Sequence, residues 1–310
     1  MQAPPVLLAG VAGICFSLIG VAYRFAAGQR IHELHILAGM SAVGATVFCL
    51  RAAPACSAVP WLVVALGILG GVTQFATVYC VRASLKRGPL TAAWCAMMLG
   101  FIPVALYAHV VFGEVVTVWH YATLVAGTAC VAMGATLVAP GPAAQPVGDS
   151  VRRKLVFGSI LLGLLLVNSV NLVIVKHLAM VRDESGASLM DRFGDQFRAL
   201  LYLSIFVCVG ADQAVVRRPV ANPARTIALG VLAGAGSVGG MWLLCSCASA
   251  ATGSVFVMST TTSILFAAFA GTLCFGEERT WRWYATVSLG MLAALLSQSD
   301  LLAKVWCRGS

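Results

Sequence analysis

Apolar runs close to twenty residues long, divided by short polar or proline-bearing breaks, repeat along the whole chain. That length suits helices crossing a bilayer core, which needs about 20 mostly apolar residues. Strands would be shorter and would alternate. The pattern predicts ten helices, over 6–27, 33–50, 61–81, 89–112, 117–138, 155–180, 193–211, 226–247, 253–275 and 281–302. Pro89 suits a first helical turn, where a missing N–H costs nothing, and Thr117 suits an N-cap. The first run lacks a basic leader and a small-residue cleavage site, so it reads as a retained helix. The stretch Ala139 to Lys154, APGPAAQPVGDSVRRK, is polar and proline-rich. It reads as a linker over 141–154 between units covering 1–140 and 155–303.

Composition agrees with the pattern. The 310 residues are 60% hydrophobic and 10% charged, with a mean hydropathy of +0.93, against about 25% charged in soluble domains. In hydrocarbon a helix satisfies its own backbone hydrogen bonds. The fold class is therefore all-α, a polytopic helical protein of a plasma or inner membrane. The net charge of +9 sits in clusters between apolar runs, such as Arg152, Arg153 and Lys154. Orienting charges and anionic headgroups explain it, so nucleic acid is not an expected partner. Eleven cysteines are scattered singly or at non-ligating spacing, with no C-x-x-C pair. They read as small hydrophobes, and neither a metal nor any cofactor is expected.

The chain uses one pattern twice. Gly88 to Gly127 and Ala251 to Gly290 both carry Phe-Gly-Glu, then Thr, then Tyr-Ala-Thr, then Gly. The offset is constant, 277 − 114 = 163 for the glutamates and 290 − 127 = 163 for the last glycines. Gly67-x-x-x-Gly71 matches Gly230-x-x-x-Gly234 at the same offset, a spacing that lets helix backbones approach closely. Ser17 and Arg24 match Ser169 and Lys176 at offset 152, each pair seven residues apart and so on one helix face. Five helices are an odd number, so a duplicated unit must enter the membrane with opposite orientation. Inverted repeats of that kind hold a solute near the midplane between the halves.

Ten spans, a five-helix duplication and Gly-Glu-x-x-Thr before the last helix of each half resemble the drug/metabolite transporter superfamily, in particular its EamA-like branch. The likeness runs from Val6 to Leu302. It departs from the family's frequent proline at position 252, where this chain has Thr, and in the longer, more charged stretch from Arg182 to Asp195. The resemblance implies a central cavity inside the first four helices of each half, with the fifth peripheral. It also implies small polar or amphipathic solutes such as amino acids and drugs, export, and termini inside. The Lys and Arg count between helices argues instead for termini outside.

Several residues carry candidate roles. Arg24 and Lys176 either snorkel from helix ends or face the cavity, and their pairing with Ser17 and Ser169 favours the cavity. There they would draw a carboxylate or phosphate. Asn168 and Asn171 either line the same space or bond a neighbouring helix. Gln74, Tyr79, Trp94, Trp242 and the hydroxyl run from Ser259 to Ser263 offer further polar or aromatic wall. Helix packing, an interfacial belt and back-bonding are the competing readings. Glu114 and Glu277 precede helix N-termini, where a carboxylate favours unpaired amides. Asp195 and Arg198, with Asp191 and Arg192, suit a salt-bridged helix end or a gate.

The reading is a carrier for small organic solutes by alternating access, its partners a small-molecule substrate and the lipid bilayer, with a homodimer allowed. The alternatives are a nucleotide-sugar or other organic-anion carrier and, from a different class, a channel or non-transporting membrane partner. An enzyme is not expected, since no nucleophile and base stand at recognisable spacing.

Overall fold

The computed structural model describes residues 5–29, 31–53, 58–113, 118–137, 147–220, 222–247 and 252–296. They form eleven α-helices: α1 Pro5–Gly28, α2 Glu33–Ala52, α3 Trp61–Leu85, α4 Leu90–Met98, α5 Phe101–Phe112, α6 Val118–Ala135, α7 Val147–Met180, α8 Leu189–Val216, α9 Pro223–Cys247, α10 Thr252–Phe275 and α11 Trp281–Leu296. No named strand occurs among the described residues. Eight spans, counting α4 with α5 as one, are long and apolar enough to cross a membrane. At about 1.5 Å per residue, the 25 residues of α3 reach about 37 Å against a core of about 30 Å. The protein is a multipass helical membrane protein.

Several boundaries differ from the sequence expectation, α3 and α8 running on to Leu85 and Val216 among them, and three differences have a local reason. The helix expected over 89–112 is broken at Leu99–Gly100 into α4 and α5. Pro103 cannot donate to the Leu99 carbonyl and crowds it, and the N–H of Ile102 takes that carbonyl instead, at 3.0 Å. The stretch read as linker to Lys154 is already helical from Val147, and its basic residues lie on the early turns of α7. Proline ends at Pro146, and the charged residues beyond it are compatible with a helix. The start of α8 moves back from Phe193 to Leu189 because Ser188 caps it. The Ser188 hydroxyl accepts the N–H of Asp191 at 3.0 Å and donates to the Asp191 carboxylate at 2.7 Å. Phe193 keeps non-helical angles, so the helix kinks where the sequence reading had begun it.

Packing joins the first five predicted helices to the last five. Helix α2 runs antiparallel to α8, with Gly44 against Tyr202 at one level and Arg51 against Asp195 at the next. Helix α3 lies parallel to α8 through Gly67 and Gly71, and α9 lies parallel to α2 through Gly230 and Gly234. A methyl on Gly39 would come within 2.8 Å of the Gly230 Cα, so only glycine permits that approach. Helix α1 packs on α9 and α10, while α7 packs on α3, α4 and α5. Helices α6 and α11 pack on each other, joined by the Cys130 thiol on the Thr286 carbonyl.

The two Phe-Gly-Glu copies stop helices. Gly113 follows α5 with φ +68 and Gly276 follows α10 with φ +62, left-handed angles that favour glycine. Glu114 and Thr117 lie outside the described residues.

Candidate functional site

A cavity of about 140 Å³ opens among the middles of the long helices. Its walls come from α1, α2, α3, α4 and α5 on one side and α7, α8, α9 and α10 on the other, with no described residue of α6 or α11 among them. The α4–α5 break shapes one wall. There the Met97 carbonyl accepts the N–H of Gly100 at 3.1 Å in place of an ordinary helical partner, and the side-chain amide of Asn168 on α7 donates to it as well, at 2.9 Å. One turn on, the Asn171 amide donates to Gln74 Oε1 at 3.1 Å, and its oxygen accepts from the Thr73 hydroxyl at 3.1 Å. Trp94 is 1% exposed, and its indole N–H donates to the Ser263 hydroxyl at 2.9 Å. The Tyr202 and Ser237 hydroxyls share a bond of 2.5 Å. Ser259 and Thr260 supply further hydroxyls.

Among the described residues that line it there is no Asp, Glu, Lys, Arg, His or Cys. Four methionines, Met40, Met97, Met98 and Met241, join Phe16 and Phe101 to make the rest of the wall soft and apolar. The Tyr23 hydroxyl, buried on this wall, has no protein partner, and a buried polar atom of that kind costs about 1–3 kcal/mol unless water or solute meets it. Such walls hold a small organic body by contact and orient it through neutral hydrogen bonds.

Of the sequence candidates, Asn168, Gln74, Trp94 and Ser259 line this space together, as does Asn171. Six do not. Ser17 and Arg24 share a face of α1, but the face meets α10. Ser17 donates to the Ser263 carbonyl at 2.9 Å and lies 2.9 Å from its hydroxyl. Arg24 lies 5.9 Å over Phe275 and donates to the Leu85 carbonyl at 3.1 Å. On α7 the corresponding stripe turns away in the same manner. Ser169 bonds its own helix at the Leu165 carbonyl, beside Gly100. Lys176 is 3% exposed and outside the lining. Tyr79 and Trp242 stand near helix ends and are exposed. Tyr79 donates to Asp212 at 2.7 Å, and Trp242 lies 5.5 Å under the Arg51 guanidinium. The sequence candidates did not include Tyr23, Tyr202 or the four methionines, because inside an apolar run nothing local separates a cavity wall from a lipid face.

Glu277 caps a helix, though not the one that follows it. Its carboxylate accepts the N–H of Leu90 at 2.6 Å, the N–H of Thr91 at 3.4 Å and the Thr91 hydroxyl at 2.5 Å. These are the orphan donors of α4, whose own N-cap residue, Pro89, supplies no side-chain bond. The Trp283 indole bonds the same hydroxyl at 3.3 Å.

Charges gather at the two ends of the bundle. Where α1 ends and α2 begins, Glu33 pairs with Arg82 at 3.1 Å, and Asp212 pairs with Arg218. Burial, then the Arg82 charge, lowers the His32 imidazole to about 4. At the opposite end Asp195 pairs with Arg51 at 3.2 Å and Arg198 at 2.7 Å. In the loop before α8, bonds from Ser185 and then Arg192 lower the Asp183 carboxyl to about 2.

Compared with known proteins, the chain matches no protein-family model and no curated protein. Among solved structures, one crystal structure of a protein superposes with a TM-score of 0.63 at 17% identity, covering 97% of this chain and 98% of its own. At that identity the likeness is one of fold.

Proposed function

We propose that this protein is a carrier of small organic solutes, amino-acid-like or drug-like, working by alternating access and related to the drug/metabolite transporters that its repeated motifs resemble. The observation that carries the reading is the cavity itself: mid-bundle, uncharged, and walled by both sequence repeats. The five-helix units are taken as inverted copies. The antiparallel contact of α2 with α8 supports this, as do the equivalent glycine contacts of α3 with α8 and α9 with α2. Export is the direction that the resemblance implies.

Neutral polar walls with methionine and aromatic surface suit amphipathic bodies. A nucleotide sugar would need cations on the wall, and neither Arg24 nor Lys176 lines it.

The test is counterflow in proteoliposomes loaded with a panel of amino acids and amphipathic drugs. Saturable, trans-stimulated uptake that falls at least tenfold in Trp94→Ala, at equal reconstitution, is expected. Flux that neither saturates nor responds to trans solute would replace the carrier with a channel. No flux of any solute would end the transport reading.

A further inference from the structure

We infer that the crevice between the end of α2, the start of α8 and the end of α9 is a binding subsite for the carboxylate of an amphipathic solute whose body occupies the central cavity. This rests on the carrier reading and adds a substrate class to it.

The crevice encloses about 260 Å³ and is lined by Arg51, Arg198, Asp195, Trp242 and Ser246, among others. Two guanidinium groups bracket one carboxylate there: Arg51 Nε lies 3.2 Å from Asp195 Oδ2 and Arg198 Nη1 lies 2.7 Å from Asp195 Oδ1. One acid cannot neutralise two cations, so the trio keeps a positive charge and unused donors. Of the other charges on the crevice, Arg192 is neutralised in an ion pair, while Asp191 keeps its negative charge at the start of α8. Arg192 pairs with Asp183, and Asp191 accepts from Ser188. Arg198 is 6% exposed, and its Nε has no hydrogen-bond partner. A guanidinium presents a fixed fork of donors that fits a carboxylate, and a buried donor left empty costs free energy. A carboxylate entering the crevice beside Arg51 and Arg198 would use that donor and offset the surplus charge of the trio itself.

The crevice and the cavity lie about one helical turn apart. Tyr202 on the cavity wall is one turn along α8 from Arg198, and Met241 and Leu244 on that wall flank Trp242. The buried Phe48 ring lies between the two and would have to turn aside for a solute to reach both. It stacks on Tyr202 at 5.7 Å and lies 5.3 Å from the Arg198 guanidinium. A solute with a few carbons between its acid and its apolar end would span the turn of about 5.4 Å between them.

The experiment uses the purified full chain in phosphatidylcholine nanodiscs, titrated with N-acetyl-leucine and its uncharged amide and read by intrinsic tryptophan fluorescence and calorimetry. The acid is expected to bind at least tenfold tighter than the amide. That preference should be lost in Arg198→Gln and reduced in Arg51→Gln, whose exposed side chain makes misfolding an unsuitable explanation. Equal binding of acid and amide, or a preference surviving both variants, overturns the subsite. Arginine-dependent binding seen only when phosphatidylglycerol is added to the nanodiscs, and not with the soluble acid, also overturns it and assigns the crevice to a lipid headgroup. Vesicle uptake separates the two readings. Acid binding without uptake leaves the subsite and removes the carrier, while uptake indifferent to Arg198→Gln does the reverse.

Discussion

Replacing Glu277 with alanine tests whether a residue of the second repeat holds a helix of the first. The carboxylate accepts two backbone N–H groups and one hydroxyl at the start of α4. Hydrogen bonds to a charged group contribute about 1.5–3 kcal/mol, and a lost N-cap costs about 1 kcal/mol. Glu277 is partly solvated and water can replace some of these bonds, which sets the expected loss at about 2 kcal/mol. For a chain of this size that is a fall of about 4 °C in Tm, measured by thermal unfolding in detergent micelles. Glu277→Gln keeps an acceptor without the charge and should lose about half as much. Glu278→Ala, exposed next door, should move Tm by under about 1 °C. A double-mutant cycle with Thr91→Val should return a coupling of about 1 kcal/mol. If Glu277→Ala and Glu278→Ala behave alike, or the cycle is additive, the cap across the repeats is refuted.

Asn168→Leu should remove one of the two hydrogen bonds to the Met97 carbonyl at the α4–α5 break, leaving that from the Gly100 N–H, and so cost about 1 kcal/mol of stability and weaken solute binding, by unfolding and uptake measured together. Trp94→Phe should keep the wall but lose the bond to Ser263, raising the KM for uptake with a smaller change in kcat. His32 is held below its ordinary value, so the unfolded chain binds more protons between about pH 6.5 and pH 4, and stability should rise with pH through that window. His32→Asn keeps a cap for the Leu34 N–H and should flatten the Tm-against-pH curve there. The Asp183 carboxyl is lowered, so its contribution is fully present above about pH 4 and is lost as pH falls towards 2. Proteolysis within residues 181–188 should stay constant from pH 7 to pH 4 and rise in Asp183→Asn.

From the sequence alone came the helices, their approximate ends and the repeat. Each has a local cause: run length against bilayer thickness, proline and glycine at the breaks, and identical residues at a constant offset. The close glycine approaches were legible too, since four-residue spacing puts both glycines of a pair on one face. What the tertiary structure alone decided is which face meets which neighbour. In water a polar stripe marks the outside of a helix. In lipid the outside is as apolar as the core, so Ser17 and Arg24 announce a shared face without saying that it meets α10. For the same reason Tyr23 and Tyr202 give no sign of facing a cavity. Glu277 is the sharpest case. Its charge and position predict a helix cap, yet its partner is α4, 186 residues away at Thr91, because only packing brings the end of α10 to that N-terminus.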